Sequence, residues 1–390
     1  MISVTEAQQI ISENAIFYNK MKMLLPNAYG KVLARPIKAM VATPPFDQSA
    51  MDGYAFSFDN WDKTSALEVV AEVQAGAWYD GVVANNQAVR IFTGAALPEG
   101  LNTVVAQEKV QLVGYKIRIT ENEIVQGRNV RLKGSQTQVG EVILNNGHLL
   151  TPASISLLAN VGVNEVLAYE NPRIRILITG KELVKPGMPL GLGQIYESNS
   201  FALTAVLQQM GIEPVSVAYV DDDLSQTELA IKNGLDSDIL IITGGVSVGD
   251  YDYVSTALNH CGVQQLFHKI KQKPGKPLYF GKHTHGLVFA LPGNPAAVLT
   301  CFYEYVAEAI GIFTRKAYFE KRTFTLGNSY DKKSGLTHFV KGKIENEQVF
   351  ILEGQESYLV NSFAIADGIV QLPEEKETFE KGEIVSVLLM

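Results

Sequence analysis

Four consecutive β-favouring apolar residues, Ile239-Leu240-Ile241-Ile242, run into Thr243-Gly244-Gly245 and then into a stretch carrying Ser247, Asp250 and Asp252. A short apolar run broken by glycines predicts a buried strand that empties into a ligand-holding loop. Glycine lets bare backbone N–H groups approach an anion, but two carboxylates in the same loop repel one unless a divalent cation lies between them. Like charges about 4 Å apart repel by roughly 4 kcal/mol at an effective dielectric near 20. The loop therefore points to metal-assisted phosphate chemistry rather than to a simple anion cradle.

The flanking sequence supplies a sheet for that strand. Across residues 172–312, apolar runs alternate with helical patterns. A strand at 173–178 leads into Thr179-Gly180-Lys181-Glu182, a helix begins near 198–200 and stops at Gly211, and a strand at 215–220 leads into Asp221-Asp222-Asp223. The spacing Ser225-x-x-Glu228 reads as a capping box. Parallel βαβ units are the economical arrangement, and in open sheets of this kind ligands bind beyond the carboxyl ends of the strands. Glu182, Asp222, Asp250 and Asp252 then share one edge. Pro292-Gly293-Asn294-Pro295 follows another apolar run and opens a helix from 295 to 311. As plain punctuation it needs no function, but beside the first loop its N–H groups face an anion. Lys269, Lys271, Lys273 and Lys276 lie between the two loops. The first three alternate, so they share one face of a strand, either as a solvated edge or as counter-charge for a bound anion.

The chain has 390 residues, 46% hydrophobic and 19% charged, enough for several cores. Its net charge of −8 argues against a nucleic-acid or anionic-membrane surface. Cys261 and Cys301 have neither disulfide nor metal spacing, which suits a reducing, cytoplasmic setting. The start has Ser3-x-x-Glu6 as a capping box with Ala7, Ile10, Ile11 and Ala15 at helical spacing, which reads as mature helix rather than leader. No run of about 18 apolar residues suggests a membrane span. From about 38 to 140 short alternating segments predict a β insertion. Ser49-Ala50-Met51-Asp52-Gly53 opens it, read locally as a hairpin turn or as a site, and Arg90-Ile91-Phe92-Thr93-Gly94 and a basic cluster of Arg128, Arg131 and Lys133 lie within it. His283 and His285 bracket one residue of a hairpin and lack a third ligand at metal spacing.

Six ordered motifs, PPFDQSAMDGYA, RIFTGAALPEG, TGKEL with GQIYESN, TGGVSVGDYDY, KPGKP and LPGNP, resemble the molybdopterin molybdenumtransferase family over residues 1–390. The C-terminal part of gephyrin belongs to the same family. The resemblance implies a multidomain α/β plus β fold: a molybdopterin-binding α/β domain with a mostly parallel sheet, an inserted β domain and a C-terminal β-barrel. The implied division is 1–19 as a helix joining the α/β domain, 20–38 with 141–167 as a linking and dimer domain, 39–140 as the insertion, 168–316 as the α/β domain and 317–390 as the barrel. It further implies a homodimer that inserts molybdate into adenylylated molybdopterin with Mg²⁺-dependent release of AMP. Molybdopterin adenylyltransferase and molybdoenzyme maturation proteins are the implied partners.

Carried onto this chain, the family's acidic positions match Asp52, Glu182, Asp222 and Asp252, and its threonine matches Thr93. Its basic positions match Lys269, Lys273, Lys276 and Arg131. We expect Asp222, Asp250 and Asp252 to hold Mg²⁺, and Gly244, Gly245 and Ser247, with the Pro292, Asn294 and Pro295 corner, to hold phosphate. Two departures stand out: Gly134-Ser135-Gln136 lacks a carboxylate that often follows the glycine, and Lys181 replaces a common aspartate. A phosphohydrolase on the same α/β fold, or a non-enzymatic scaffold, are the competing expectations. The hydrolase leaves SAMDGYA and the barrel without a purpose, and no segment marks a scaffold's partner.

Overall fold

The structure, a computed structural model, describes residues 1–16, 19–246, 253–284 and 286–390. Ser247, Asp250 and Asp252 lie outside the described residues, as does His285. The chain divides into two compact units. One comprises Met1–Met21, Gly30–Val32 and Tyr169–Met390, and the other Lys22–Tyr29 and Leu33–Ala168.

The larger unit contains the expected α/β sheet. Its order is Ser216–Val220, Ile174–Thr179, Ile239–Thr243, Gly286–Leu291, Tyr279–His283, Gln264–His268. The first four strands are parallel, and Tyr279–His283 runs against both of its neighbours. Every residue of Ile239–Thr243 and of Gly286–Leu291 is buried, as strands covered on both faces require. Alternate side chains feed two cores: Ile239 and Ile241 pack on one face with Ile176 and Phe289, Leu240 and Ile242 on the other with Leu177 and Val288.

A second sheet closes on itself. Thr337–Glu345, Gln348–Ile351, Lys321–Leu326, Ile384–Leu389 and Gly368–Leu372 pair in turn, and the last pairs back with the first, giving a five-stranded barrel. Closure removes open edges. The barrel also carries an added parallel strand, Gln272–Lys273, in register with Thr337 and His338.

The smaller unit is built on a mixed six-stranded sheet ordered Thr103–Ala106, Gly53–Phe56, Gln87–Ile91, Leu67–Val73, Lys116–Ile119, Val110–Val113. Tyr54 and Phe56 face one core and Ala55 the other, the period-two pattern of a sheet packed on both sides.

Several local expectations change. Ser3 does cap the first helix in a capping box with Glu6, but the helix Leu224–Gly234 is capped by Asp223, whose carboxylate accepts from Gln226 N–H, and not by Ser225. Asp52-Gly53 is not a hairpin turn, because Gly53–Phe56 pairs with Gln87–Ile91 and Thr103–Ala106. Lys269, Lys271 and Lys273 do not share a strand face: Lys269 has φ +74°, which breaks the alternation, and only Gln272–Lys273 is extended in register. The helix after Pro295 continues to Thr314 through a π-turn at Phe302–Val306. It is long and apolar enough to cross a membrane, yet 78% of its apolar window is buried within the protein, as for a core helix.

His338, 7% exposed, sits beside Lys273 in the added pairing. Burial, with Lys273 and Lys332 nearby, pulls its imidazole down to about 4. The unfolded chain takes up this proton first as pH falls, so the contribution is intact above the ordinary value near 6.5 and is lost between 6.5 and about 4. His338→Asn should flatten the fall in stability across that window, measured by urea unfolding at a series of pH values.

Candidate functional site

The parallel strands leave the sheet on one side, and their exits form one cavity of about 810 Å³. Gly180 and Glu182 follow Thr179, Asp222 follows Val220, Gly244 and Gly245 follow Thr243, and Pro292 to Pro295 follow Leu291; all line it. Lys273 and Lys276 complete the lining from the KPGKP segment. This size suits a drug-sized or cofactor-sized ligand.

The glycines are there because the loops nearly touch. Gly244 has φ +86°, and a Cβ on it would sit 2.6 Å from the Thr179 carbonyl oxygen. At Gly245, φ +62°, a Cβ would meet Val254 Cγ2 at 2.6 Å. Thr179 Oγ1 donates to the Thr243 carbonyl at 3.2 Å, and Gly244 N–H to the Leu291 carbonyl at 3.2 Å, tying the three exits together. Across the first exit, the Lys181 N–H donates to Asp222 Oδ2 at 3.4 Å.

The KPGKP segment is held from behind by a residue that sequence reasoning passed over. Gln272, 1% exposed, donates through Nε2 to the carbonyls of Pro274 and Gly275, both at 3.1 Å, and its Oε1 accepts from Tyr305 O–H. Gly275 lies against Cys301, where a Cβ would come within 2.4 Å of Sγ. Cys301 is fully buried and burial pushes its thiol up, so it packs rather than reacts. Lys269 is not among the cavity's lining residues.

Asn294 and the helix start are also partly committed. Asn294 Nδ2 donates to Ser357 Oγ at 2.8 Å, and Ala296 N–H donates to the Ser357 carbonyl at 3.1 Å. The expected free N–H groups at this corner are therefore fewer than the motif suggests: Pro295 has none, and that of Ala296 is used. The run Ile195 to Asn199, part of the GQIYESN motif, also lines the cavity, as do Ser357 and Tyr358 from the barrel, which were not singled out in the sequence.

In the smaller unit a separate group forms around Asp52. Gly53–Phe56 and Gln87–Ile91 are antiparallel with Gly53 opposite Ile91, so the start of one strand and the end of the other bring Asp52 to Thr93. Asp52 Oδ1 accepts from Thr93 N–H at 2.8 Å and from its hydroxyl at 2.7 Å, bonds that hold the carboxyl below its ordinary range. Gly53 is required by contact, since a Cβ there would lie 2.0 Å from the Val105 carbonyl oxygen. The strand Gln48–Ser49 lies between the Thr93-Gly94 turn, whose Gly94 N–H reaches the Ser49 carbonyl at 2.8 Å, and Val130–Arg131, where Arg131 pairs with Gln48. Arg128 is ion-paired with Glu121 at 3.3 Å.

Among the described residues no three acidic, histidine or cysteine side chains cluster to hold a metal. Three described carboxylates line the cavity; Glu197 is tied to Ser200 through both oxygens, and Glu182 and Asp222 are the ones suited to a hard cation that keeps several of its waters.

Gly244→Ala should cost about 2–4 kcal/mol of stability, read by denaturant unfolding, because both φ and space forbid the methyl. Thr93→Val keeps the backbone donor but removes the hydroxyl, so the Asp52 carboxyl should titrate upward toward its ordinary range, followed by carboxyl-carbon NMR.

Family profiles cover almost the whole chain: "MoeA N-terminal region (domain I and II)" over residues 2–162, "Probable molybdopterin binding domain" over 175–311, and "MoeA C-terminal region (domain IV)" over 323–390. The molybdopterin molybdenumtransferase of Haemophilus influenzae is 32% identical over 401 residues, covering 99% of this chain and 98% of the relative. That of Nostoc sp. is 34% identical over 369 residues, covering 92% and 81%. The crystal structure of a molybdopterin biosynthesis MoeA protein from Pyrococcus horikoshii superposes with a TM-score of 0.85 at 28% identity, covering 100% of this chain and 99% of that one. With the cavity at the strand ends and the closed barrel, these matches establish that the chain belongs to the molybdopterin molybdenumtransferase family, transferases of molybdenum cofactor biosynthesis.

Proposed function

We propose that the chain inserts molybdate into adenylylated molybdopterin and releases AMP with the help of Mg²⁺. The observation that carries this reading is the convergence, in one cavity, of glycine loops, Lys273 and Lys276 with the carboxylates Glu182 and Asp222. Molybdate and a diphosphate are both anions, so they require the lysines and the backbone donor of Gly245, that of Gly244 being given to the Leu291 carbonyl. The carboxylates alone would repel these substrates, which makes sense if they hold a cation.

Glu182 and Asp222 would hold Mg²⁺, with Asp250 and Asp252 added from the sequence. An ion held by these carboxylates would supply positive charge against the charge that develops on the departing AMP. Lys273 and Lys276 bind oxyanions. Ser247 completes the phosphate loop on sequence grounds, and Asn294, held by Ser357, shapes the corner between Pro292 and Pro295. Asp52, fixed by Thr93, and Arg131 take part in orienting molybdate or the dithiolene. A cytoplasmic homodimer, substrate delivery by a molybdopterin adenylyltransferase and the five-part domain division belong to the same proposal.

The test is reconstitution with adenylylated molybdopterin, molybdate and Mg²⁺, following AMP and active cofactor together. Asp222→Asn should cut turnover by roughly 100-fold or more, the scale of losing a charge-stabilising group, with Asp52→Asn also impaired while the dimer persists. AMP release that ignores molybdate, or hydrolysis of an unrelated nucleotide, would favour a phosphohydrolase and overturn the reading; unchanged turnover in Asp52→Asn removes that residue from the mechanism.

A further inference from the structure

The two cavity lysines stand on either side of a buried pair. In Lys273-Pro274-Gly275-Lys276 both lysines are exposed, whereas Pro274 and Gly275 are buried. What meets that pair from inside is the side chain of Gln272. Gln272–Lys273 is an extended strand, and neighbouring side chains of a strand point to opposite faces, so an inward Gln272 turns Lys273 outward. Gln272 Nε2 carries two N–H groups and donates to two consecutive carbonyls, those of Pro274 and Gly275, each at 3.1 Å. The fit is close, since a Cβ on Gly275 would come within 2.8 Å of that nitrogen.

The amide is itself oriented from behind. Its Oε1 accepts from Tyr305 O–H while its Nε2 faces carbonyl oxygens, which only accept, so the two ends of this amide cannot exchange places. Tyr305 is fully buried and lies in the π-turn Phe302–Val306 that interrupts the helix begun at Pro295. Single π-turns inside α-helices recur at functional sites. Here the turn carries the hydroxyl that reaches Gln272, so one line of contacts runs from the core helix through Tyr305 and Gln272 to the backbone between the lysines. With its amide committed to these bonds, Gln272 acts on a ligand through Lys273 and Lys276.

We propose that Gln272 is a positioning residue: by holding the Pro274 and Gly275 carbonyls, with its amide oriented by Tyr305, it sets the spacing of Lys273 and Lys276 and thereby the affinity of the cavity for phosphate oxyanions. This inference rests on the proposed function, which gives oxyanion binding to the two lysines, and adds to it what sets their spacing.

The test is binding of inorganic pyrophosphate, as the diphosphate probe, by equilibrium dialysis at fixed ionic strength. The proteins are full-length wild type, Gln272→Met, Tyr305→Phe, the pair Lys273→Ala with Lys276→Ala, and that pair combined with each of the first two. Gln272→Met keeps the length of the side chain and removes both donors and the acceptor, so binding should weaken roughly tenfold, and Tyr305→Phe should weaken it about threefold, the scale of one net hydrogen bond. Without the two lysines each substitution should change binding by less than about twofold, because residues that act through one another do not add. A general loosening of the fold would instead cost the same in both backgrounds. The inference is overturned if Gln272→Met and Tyr305→Phe bind as tightly as wild type, or if their losses persist undiminished once the lysines are gone. Should Gln272→Met fail to fold, Tyr305→Phe, which removes a single hydroxyl, decides by the same comparison. If wild type does not bind pyrophosphate, or binds no better than the protein without the two lysines, the oxyanion role in the proposed function falls as well. If the lysines matter and Gln272 and Tyr305 do not, only this inference falls.

Discussion

Because Ile239–Thr243 lies between Ile174–Thr179 and Gly286–Leu291, all running the same way, the chain leaves its central strand by passing directly over the Thr179 carbonyl. Gly244 has no Cβ to obstruct that passage, and its positive φ turns the backbone across the sheet edge. The rest of the cavity depends on this close approach. It sets Gly245 beside Val254, lets Gly244 N–H bond Leu291, and leaves Gly293 so near that a Cβ on it would lie 3.8 Å from Gly244 Cα, so three loops share one floor.

The acids and bases are supplied by different means. Glu182 and Asp222 come from loops that follow two adjacent parallel strands, so the sheet itself places them. Lys273 and Lys276 belong to no strand of that sheet, and their segment is shaped by the buried amide of Gln272. The Asp52 group is simpler: one antiparallel pairing and two hydrogen bonds from Thr93 fix the carboxylate without burying it.

Much of this was legible beforehand. The three parallel strands flagged by apolar runs are present within a residue of their expected limits, because continuous burial leaves a continuous hydrophobic signature. Of the four acids assigned to one edge from topology alone, Glu182 and Asp222 do line the cavity there, and Asp250 and Asp252 lie outside the described residues. The lysine run misled because alternation predicts a strand only where φ stays extended, and Lys269 does not. Asp223 outcompeted Ser225 as a cap by standing one residue before the helix rather than inside it. Gln272 and Ser357 carried no periodic or motif signal. Each works through a single side-chain contact with a residue distant in sequence, and spacing does not record such contacts.

The short strand Gln272–Lys273 is hydrogen-bonded to the barrel, and Ser357 of the same barrel grips the Asn294 corner. The C-terminal barrel therefore acts as a jig: it clamps two of the loops that receive the substrate. Trimming it away would leave the α/β sheet able to pair its own strands but with its basic arm and its proline corner both unmoored, so an isolated α/β core is not a smaller version of the same instrument.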